Sequence, residues 1–425
     1  MEQSPAPPES LIADGASHAG VAALREPTAT EAVDGVRPRL VAEPATADRL
    51  AATIGWAAER GLSVRVRGGG TKQQWGAVAQ PVDLLLSTAR LDTVVEHRHG
   101  DLTATVEAGA TLARVNAALA RHAQRLPLDP PWPARATIGG IVATNDSGPA
   151  RHHHGAPRDL IIGCSIVLAD GREAKSGGIV VKNVAGYDLG RLVTGSFGSL
   201  AVVTSATFKL APVAKSSRTV SIALDALEAV AALVTRLADS SLTPSAMELE
   251  WPPARLHVRF ESVEAAVTQQ AAEVVRLAGD SGRADTVTGD AESRLWAAYA
   301  GGWDAPGTLI KLATRPTSLL ATLVWLRNAC ERDGVEMCAA GRAALGVVEV
   351  RLEGASEAQA RVIERLRDQL PAGEGSAVVR RAGPELRRLV DPWGGSGDAL
   401  PIMRRIKARF DPDGRLNPGG GPGNV

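Results

Sequence analysis

The stretch RVRGGGTKQQWG (residues 65–76) sets Gly68, Gly69 and Gly70 between an alternating run and the pair Thr71–Lys72. Glycine loses more backbone freedom on folding than any other residue. Three in a row after a strand therefore read in two ways: a plain turn, or bare backbone against which a ligand lies. The second reading has a chemistry. Amide N–H groups exposed in such a turn form a nest for an anion, and without Cβ atoms a pyrophosphate can come close. The common nucleotide loops do not fit. No G-x-x-x-x-G-K-[ST] is present, and a G-x-G-x-x-G would need glycine where Gln73 stands.

Two further segments have the same texture. ATIGGIVATNDSGPARHHHGAPRDLIIG (136–163) holds Gly139–Gly140, then Asn145–Asp146–Ser147–Gly148, then Gly155. VKNVAGYDLGRLVTGSFGSLAVVTSATFKLAP (181–212) holds Gly186, Gly195 and Gly198. A long cofactor lying across backbone needs several such surfaces. Other residues could do chemistry too. His152, His153 and His154 are adjacent, but neighbours in an extended chain diverge and no carboxylate or cysteine stands at ligand spacing, so no metal site is expected. In ARLHVRFE, Arg255, His257 and Arg259 alternate with Leu256, Val258 and Phe260. Lys311 and Arg351 could extend that cationic face, with Glu248, Glu250 and Glu349 offsetting it. A solvated face with cross-strand ion pairs is the plainer reading. Lys182 reads either as a surface lysine or as a positive charge beside a ligand. Asp188 fits the N-terminus of a following helix, where the dipole favours a negative charge.

The elements that must position these residues change character along the chain. RPRLVAEP reads as a strand. The next segment sets Leu50, Ile54, Ala57 and Ala58 at helical spacing, with Thr46 as cap and Gly61 as terminator. LSVRVR follows as a strand, completing a β-α-β unit. VDLLLST, TATVEAGA and IIGCSIVLADG read as further strands, with a helix over 112–123 and a long Pro/Gly loop over 127–163. Beyond residue 212 the order becomes strand 217–223, helix 225–238, strands 246–251 and 255–260, helix 262–278. It recurs as strand 307–313, helix 317–333, strands 335–339 and 346–352, helix 356–369. Two split β-α-β units forming one antiparallel sheet, with helices on one side, would give that order. DALPIMRRIKARF is an amphipathic helix before a turn-rich tail. The first 35 residues read as a disordered leader.

Composition narrows the function. Forty-seven Lys and Arg balance 47 Asp and Glu, so a polyanion-binding protein is not expected. Three cysteines without paired spacing fit a reducing compartment and offer no iron–sulfur or zinc ligand set. The N-terminus has no basic, then apolar, signal pattern, and no run of about 18 apolar residues suggests a span. The expectation is a cytoplasmic protein, peripheral to an inner membrane only through partners.

Together the three glycine-rich segments resemble the FAD-binding domain of the vanillyl-alcohol oxidase/PCMH-type flavoprotein family. More narrowly, ATIGG, SGPARHHHGAPRDLIIG and KNVAGYDLGRLVTGSFGSL resemble the FAD-binding subunit of bacterial glycolate oxidase, the smaller of its two related flavoprotein subunits. The likeness covers 36–213 and the C-terminal FDPDGRLNPGG. It implies an α+β fold: a PCMH-type FAD-binding domain over 36–213, an antiparallel-sheet cap over 214–384, and a C-terminal segment, 385–425, returning to the FAD domain. It implies that Arg67, Gly68, Gly69, Gly70, Thr71 and Lys72, with Trp75 and Gly76, wrap the FAD pyrophosphate. Thr137, Ile138, Gly139 and Gly140, then Thr144, Asn145, Asp146, Ser147 and Gly148, would hold the pyrophosphate and the flavin edge. Gly198 to Val203 would line the adenine end. Asn417 would approach the flavin ring, or else serve as a turn residue before Pro418. Where some relatives attach flavin through a histidine, this chain has Thr71 and Lys72, so the FAD is expected to be non-covalent. A Gly69→Val change is expected to eject flavin and leave the strand core folded.

The implied function is oxidation of a small 2-hydroxy acid such as glycolate within a multi-subunit oxidase. A larger flavoprotein subunit and an iron–sulfur subunit would be the partners. Arg255 and Arg259 would grip the substrate carboxylate, since a guanidinium pairs both oxygens, and His257 would take the hydroxyl proton. One departure stands out. Catalytic subunits of the 2-hydroxy-acid branch carry a His-x-Gly-Asp-Gly-Asn-x-His-like motif, and this chain does not. A subunit that binds FAD without turnover, and a stand-alone flavin alcohol oxidase, are the alternatives.

Overall fold

The computed structural model describes residues 7–179, 186–371, 373–395 and 397–425. The chain divides into two compact units, one of Met1–Ser147, Ala156–Pro212 and Ser396–Val425, the other of Gly148–Gly155 and Val213–Gly395.

In the first unit, Thr46 caps the helix Ala47–Glu59 by accepting the Arg49 amide at 3.2 Å. The helix buries Leu50, Ile54, Trp56 and Ala57. The strands on either side of it, Leu40–Ala42 and Val64–Arg67, both run parallel to Leu84–Ser87, which lies between them. A five-stranded antiparallel sheet follows, in the order Val94–Arg98, Thr103–Glu107, Val202–Lys209, Ile161–Val167, Glu173–Gly177. Its core takes in Val106, Phe208 and Ile166 and the helices Leu112–Leu119 and Ile138–Thr144.

The leader is not the unstructured segment expected from its Pro/Ala-rich composition. Residues Pro8–Ser17 form a helix, with Leu11 buried in the core around Ile54 and Trp56. Asp14 fixes it, accepting from Trp56 Nε1 at 2.8 Å and pairing with Arg60. A few docking contacts outweigh weak intrinsic helix preference. At the other end, Asp411 is almost wholly buried and accepts the amides of Arg415 and Leu416 and the Lys407 ammonium. That turn brings the tail alongside Val64, whose amide and carbonyl bond Arg415 O and Asn417 N, each at 2.8 Å.

The second unit is an eight-stranded antiparallel sheet. Its first half runs Gly282–Val287, Ser216–Leu224, Arg255–Ser262, Ala246–Trp251; its second runs Glu336–Arg342, Val347–Glu353, Thr308–Ala313, Ser376–Arg381. Each half is a β-α-β-β-α-β unit with the same strand order, and the halves join through Ala246–Trp251 and Glu336–Arg342. The strands Gly282–Val287 and Ser376–Arg381, each an outer strand, complete the repeat that the sequence shows only as three strands per half. Helices Leu227–Ala238, Glu264–Ala278, Pro316–Asp333 and Ser356–Gln369 cover the apolar face, packing on Ile222, Phe260, Ile310 and Val350. A further helix, Gly289–Gly301, serves the polar face: Glu292 accepts from Ser217 and Thr219, and Tyr299 donates to Glu248.

The division differs from the expected one at two places. Residues 148–155, expected within the FAD domain, group with the second unit, where Arg342 Nη1 reaches the Gly148 carbonyl at 3.5 Å. Residues 385–395, expected with the C-terminal segment, also group there, since the Val379 amide bonds Pro392 O at 2.7 Å.

Candidate functional site

The first unit holds a groove of about 800 Å³. Its walls are Gly68–Lys72, the segment around Thr137, Gly139, Gly140 and Thr144, and the run that includes Gly198 and Val203, with Asn417 at one side. Sequences about 70 residues apart thus converge on one space.

The glycines are there for two reasons. A Cβ on Gly69 would lie 1.7 Å from the Arg135 carbonyl oxygen, and one on Gly68 would lie 2.1 Å from Thr137 Oγ1. Close packing of one loop on the other therefore demands glycine at these positions, independently of any ligand. It also leaves the backbone amides unused. Among the described residues, no backbone carbonyl accepts from the amides of Gly68, Gly69, Gly70 or Thr71. Thr137 Oγ1 is likewise buried on the groove wall without a partner. Buried polar groups are normally satisfied, so this set of donors fits an anionic group laid across the glycines.

Other expected residues have different placements. Lys72 pairs with Asp146 at 3.0 Å, its side chain 6% exposed and that of Asp146 0%. The charge is thus used to tie the 68–76 loop to the 144–147 loop. Lys72 also sits 5.5 Å from the Trp75 ring, and Trp75, with Phe197, borders a smaller adjoining recess. Ile138 is a core residue with 0% exposure. The Gly139 amide is spent on Ala108 O at 2.7 Å. Asn145 takes positive φ (49°) at the helix C-terminus, and its Oδ1 accepts the Arg158 amide. Arg67 ends its strand with its carbonyl bonded to the Thr88 amide, and Gly76 sits in a turn with φ 87°. Ser147 is buried beside Asp146, and Gly148 lies across the unit boundary.

Asn417 proves to be a staple. Its Oδ1 accepts the Val66 amide at 2.9 Å and its Nδ2 donates to Phe197 O at 2.6 Å. A Cβ on Gly198 would come within 2.6 Å of that Nδ2, so Gly198 (φ 70°) makes room for the staple. Sequence reasoning missed Thr88, Ser196 and Phe197 on the wall. It also missed Lys407, which fixes the wall by donating to Ser199 O at 2.7 Å. Lys182 and Asn183 lie outside the described residues.

In the second unit the polar sheet face carries a dense cluster of charge. Lys311 stands opposite Glu349 on adjacent strands, and Arg342 opposite Glu248. Arg380 Nη1 holds Glu349 at 2.7 Å. Burial pushes the Lys311 amine down to about 8, reinforced by Arg380, Arg151 and Arg342 and opposed by Glu349. Lys311 is thus crowded by three guanidinium groups, and among the described residues its Nζ has no hydrogen-bond partner.

The expected catalytic trio falls elsewhere. His257 is 2% exposed, with Nε2 bonded to Glu250 at 2.7 Å, which holds that carboxyl below its usual range. Arg259 is engaged by Glu292 at 3.4 Å and by Trp296, and Arg255 is exposed near a strand end. Leu256, Val258 and Phe260 do face the core and Arg255, His257 and Arg259 the other side, but the helix Gly289–Gly301 closes over that part of the face. His152, half-buried, has its pKa lowered by burial and then by His153. Among the described residues no group of three His, Cys, Asp or Glu side chains is arranged to hold a metal ion, and no helix is long and apolar enough to cross a membrane.

The groove floored by glycine amides lies largely in a stretch that is similar to known FAD-binding domains. Residues 38–177 match the FAD binding domain family, and 393–420 match the C-terminal domain of FAD linked oxidases. The chain thus carries a PCMH-type FAD-binding domain and a C-terminal segment of the FAD-linked oxidase kind, and FAD is its cofactor. It is 26% identical to the glycolate oxidase subunit GlcD of Bacillus subtilis, over 90% of this chain and 88% of that one. It is 40% identical to the glycolate oxidase subunit GlcE of Escherichia coli over a shorter stretch, 29% of this chain and 36% of that one. In fold it is similar to the glucooligosaccharide oxidase of Acremonium strictum, with a TM-score of 0.70, 17% identity and 96% of each chain covered.

Proposed function

We propose that this chain oxidises the CH–OH group of a 2-hydroxy acid, as the FAD-binding subunit of a multi-subunit glycolate-type oxidase or dehydrogenase. The observation that carries the proposal is Lys311, an unpartnered amine among Arg151, Arg342 and Arg380 on a face otherwise closed by ion pairs. A carboxylate would complete that cluster, because charge-assisted hydrogen bonds to a partly desolvated ammonium are the strong ones. When bound, FAD would supply the redox chemistry as the acceptor of the substrate's hydride. The amides of Gly68–Thr71 and the Thr137 hydroxyl would hold its pyrophosphate, and the stretch from Gly198 to Val203 its adenine end. The test compares binding of a 2-hydroxy acid with that of its neutral amide, followed through the flavin spectrum. The acid is expected to bind at least ten-fold more tightly; equal binding would remove the carboxylate seat.

Two consequences concern the cofactor. Thr137→Val keeps the side-chain shape but removes the unpaired hydroxyl. FAD affinity is expected to fall about ten-fold, on the order of 1–1.5 kcal/mol, with the flavin-free protein no less stable; equilibrium dialysis and thermal melts read both. The described groove wall carries no histidine or cysteine. Acid precipitation is therefore expected to release all the flavin into the supernatant, whereas flavin remaining on the pellet would establish a covalent link.

A second reading keeps FAD but assigns no turnover to the isolated chain. Burial of His257 against Glu250 favours it, since that removes the one histidine beyond residue 154 as a general base. In that case a larger flavoprotein subunit carries the oxidation, and an iron–sulfur subunit relays electrons.

A further inference from the structure

The charged cluster opens along the sheet onto a cavity of about 680 Å³ within the second unit. The geometry of the strands fixes this adjacency. Residues two apart on a strand project from the same face. Leu309 lies on the cavity wall and Lys311 is two residues on; Ala340 lies on the wall and Arg342 is two residues on. Glu349, opposite Lys311, belongs to the wall itself. Cluster and cavity are thus successive rows of one face.

The cavity, part of whose volume is open to solvent, has more room than a two-carbon acid requires. Its wall is also of a particular kind. Trp251, Trp303 and Tyr299 contribute to it, with Leu309. Trp303 and Tyr299 are held in place, Trp303 through its carbonyl by Arg381 at 2.8 Å and Tyr299 through its hydroxyl by Glu248. Trp251 also packs on the apolar core beside Leu249, so Trp303 and Tyr299 are the aromatic residues that suit a planar aromatic group on the polar side of the sheet. Beyond Glu349, a second carboxylate stands at the wall. Glu250 takes His257 Nε2 on Oε2, and its other oxygen has no partner among the described residues. Arg351 is already engaged with Gly302 O and Glu353.

Resting on the 2-hydroxy-acid reading above, we infer that the acid this chain takes carries an aromatic arm ending in a hydrogen-bond donor. Its carboxylate sits at Lys311, Arg342 and Arg380, its ring lies in the cavity beside Trp303 and Tyr299, and its terminal donor meets Glu250. A glycolate-sized acid would leave the aromatic wall unused.

The test uses the FAD-loaded full chain and three probes: 3-(4-hydroxyphenyl)lactate as both enantiomers, 3-phenyllactate, and glycolate. Equilibrium dialysis measures binding and anaerobic flavin bleaching measures oxidation. Burying an aromatic ring is expected to tighten binding at least ten-fold over glycolate, with the hydroxyphenyl acid ahead of the phenyl acid. Ala340→Leu, which narrows the cavity, is expected to abolish the margin over glycolate. Should that variant fold poorly, Glu250→Gln at a half-exposed position is expected to remove only the preference for the phenol. Glycolate binding as tightly as either aryl acid would overturn the inference and leave the 2-hydroxy-acid reading standing. Tight aryl-acid binding without bleaching by any probe would support the aromatic cavity and overturn the oxidation reading instead.

Discussion

Lys311→Met is expected to lower the second-order rate of flavin reduction by 2-hydroxy acids between about ten- and a hundred-fold. That range corresponds to one charge-assisted hydrogen bond to the substrate. The protein should remain as stable as before, or become more stable. The amine is desolvated and crowded by Arg380, Arg151 and Arg342, and burial and those cations are what push its pKa down to about 8. Methionine fills the same volume without that penalty. The sign of the pH effect follows. The ammonium that receives the carboxylate is present below about pH 8 and is lost above it. KM for the acid should therefore rise as pH climbs through that value, more gradually where bound substrate holds the proton. In the variant that rise should vanish. A Lys311→Met protein with unchanged KM and the same pH profile would show that the carboxylate binds elsewhere.

Gly69→Ala is expected to cost both flavin and fold. The added Cβ would lie 1.7 Å from a backbone oxygen, that of Arg135, so one of the two loops must move. Overpacking of this kind costs about 1–3 kcal/mol, and a backbone obstacle places this case at the upper end. The sequence alone suggested that a Gly69 substitution would expel flavin and spare the strands, because the glycine looked like a ligand surface. Its missing side chain faces protein instead, and only its amide is left for a ligand. Gly140→Ala is the control. The nearest atom to a Cβ there is Thr137 Oγ1 at 3.3 Å, and the residue sits in a helix where alanine is preferred by roughly 0.5–1 kcal/mol. It should fold normally and weaken FAD binding alone. Flavin content and thermal melts of the two variants, side by side, separate packing from ligand contact. Normal stability of the Gly69→Ala protein would refute the packing argument.

The contrast between these glycines marks what could be read from the sequence. Glycine-rich runs announced a backbone surface, and all three segments do meet at one groove. The direction of each missing Cβ is a tertiary property, which no local pattern encodes. The same holds for charge. Lys72 looked like a phosphate ligand until Asp146, 74 positions away, was found beside it. The alternation of Arg255, His257 and Arg259 correctly gave the polar face of a strand. It could not show that Glu292 and Trp296, from a helix with little amphipathic signal, would cover that region. Lys311 was legible only as one more cation on that face, since its neighbours come from three other strands and from residues 148–155. Strands Gly282–Val287 and Ser376–Arg381 escaped notice because edge strands such as these, GRADTV and SAVVRR, carry little or no apolar alternation. Once seen, they turn a vague recurrence into two matching six-element units.

The central claim, that this chain itself oxidises a 2-hydroxy acid with its FAD, is most directly tested by one anaerobic mixing experiment. The purified, FAD-loaded chain, free of other subunits, is mixed with excess 2-hydroxy acid and the visible flavin band is followed. Bleaching within the time of a catalytic turnover is the expected result. A band that dithionite bleaches but every 2-hydroxy acid leaves intact would contradict the claim and make the chain a flavin-carrying partner of another catalytic subunit.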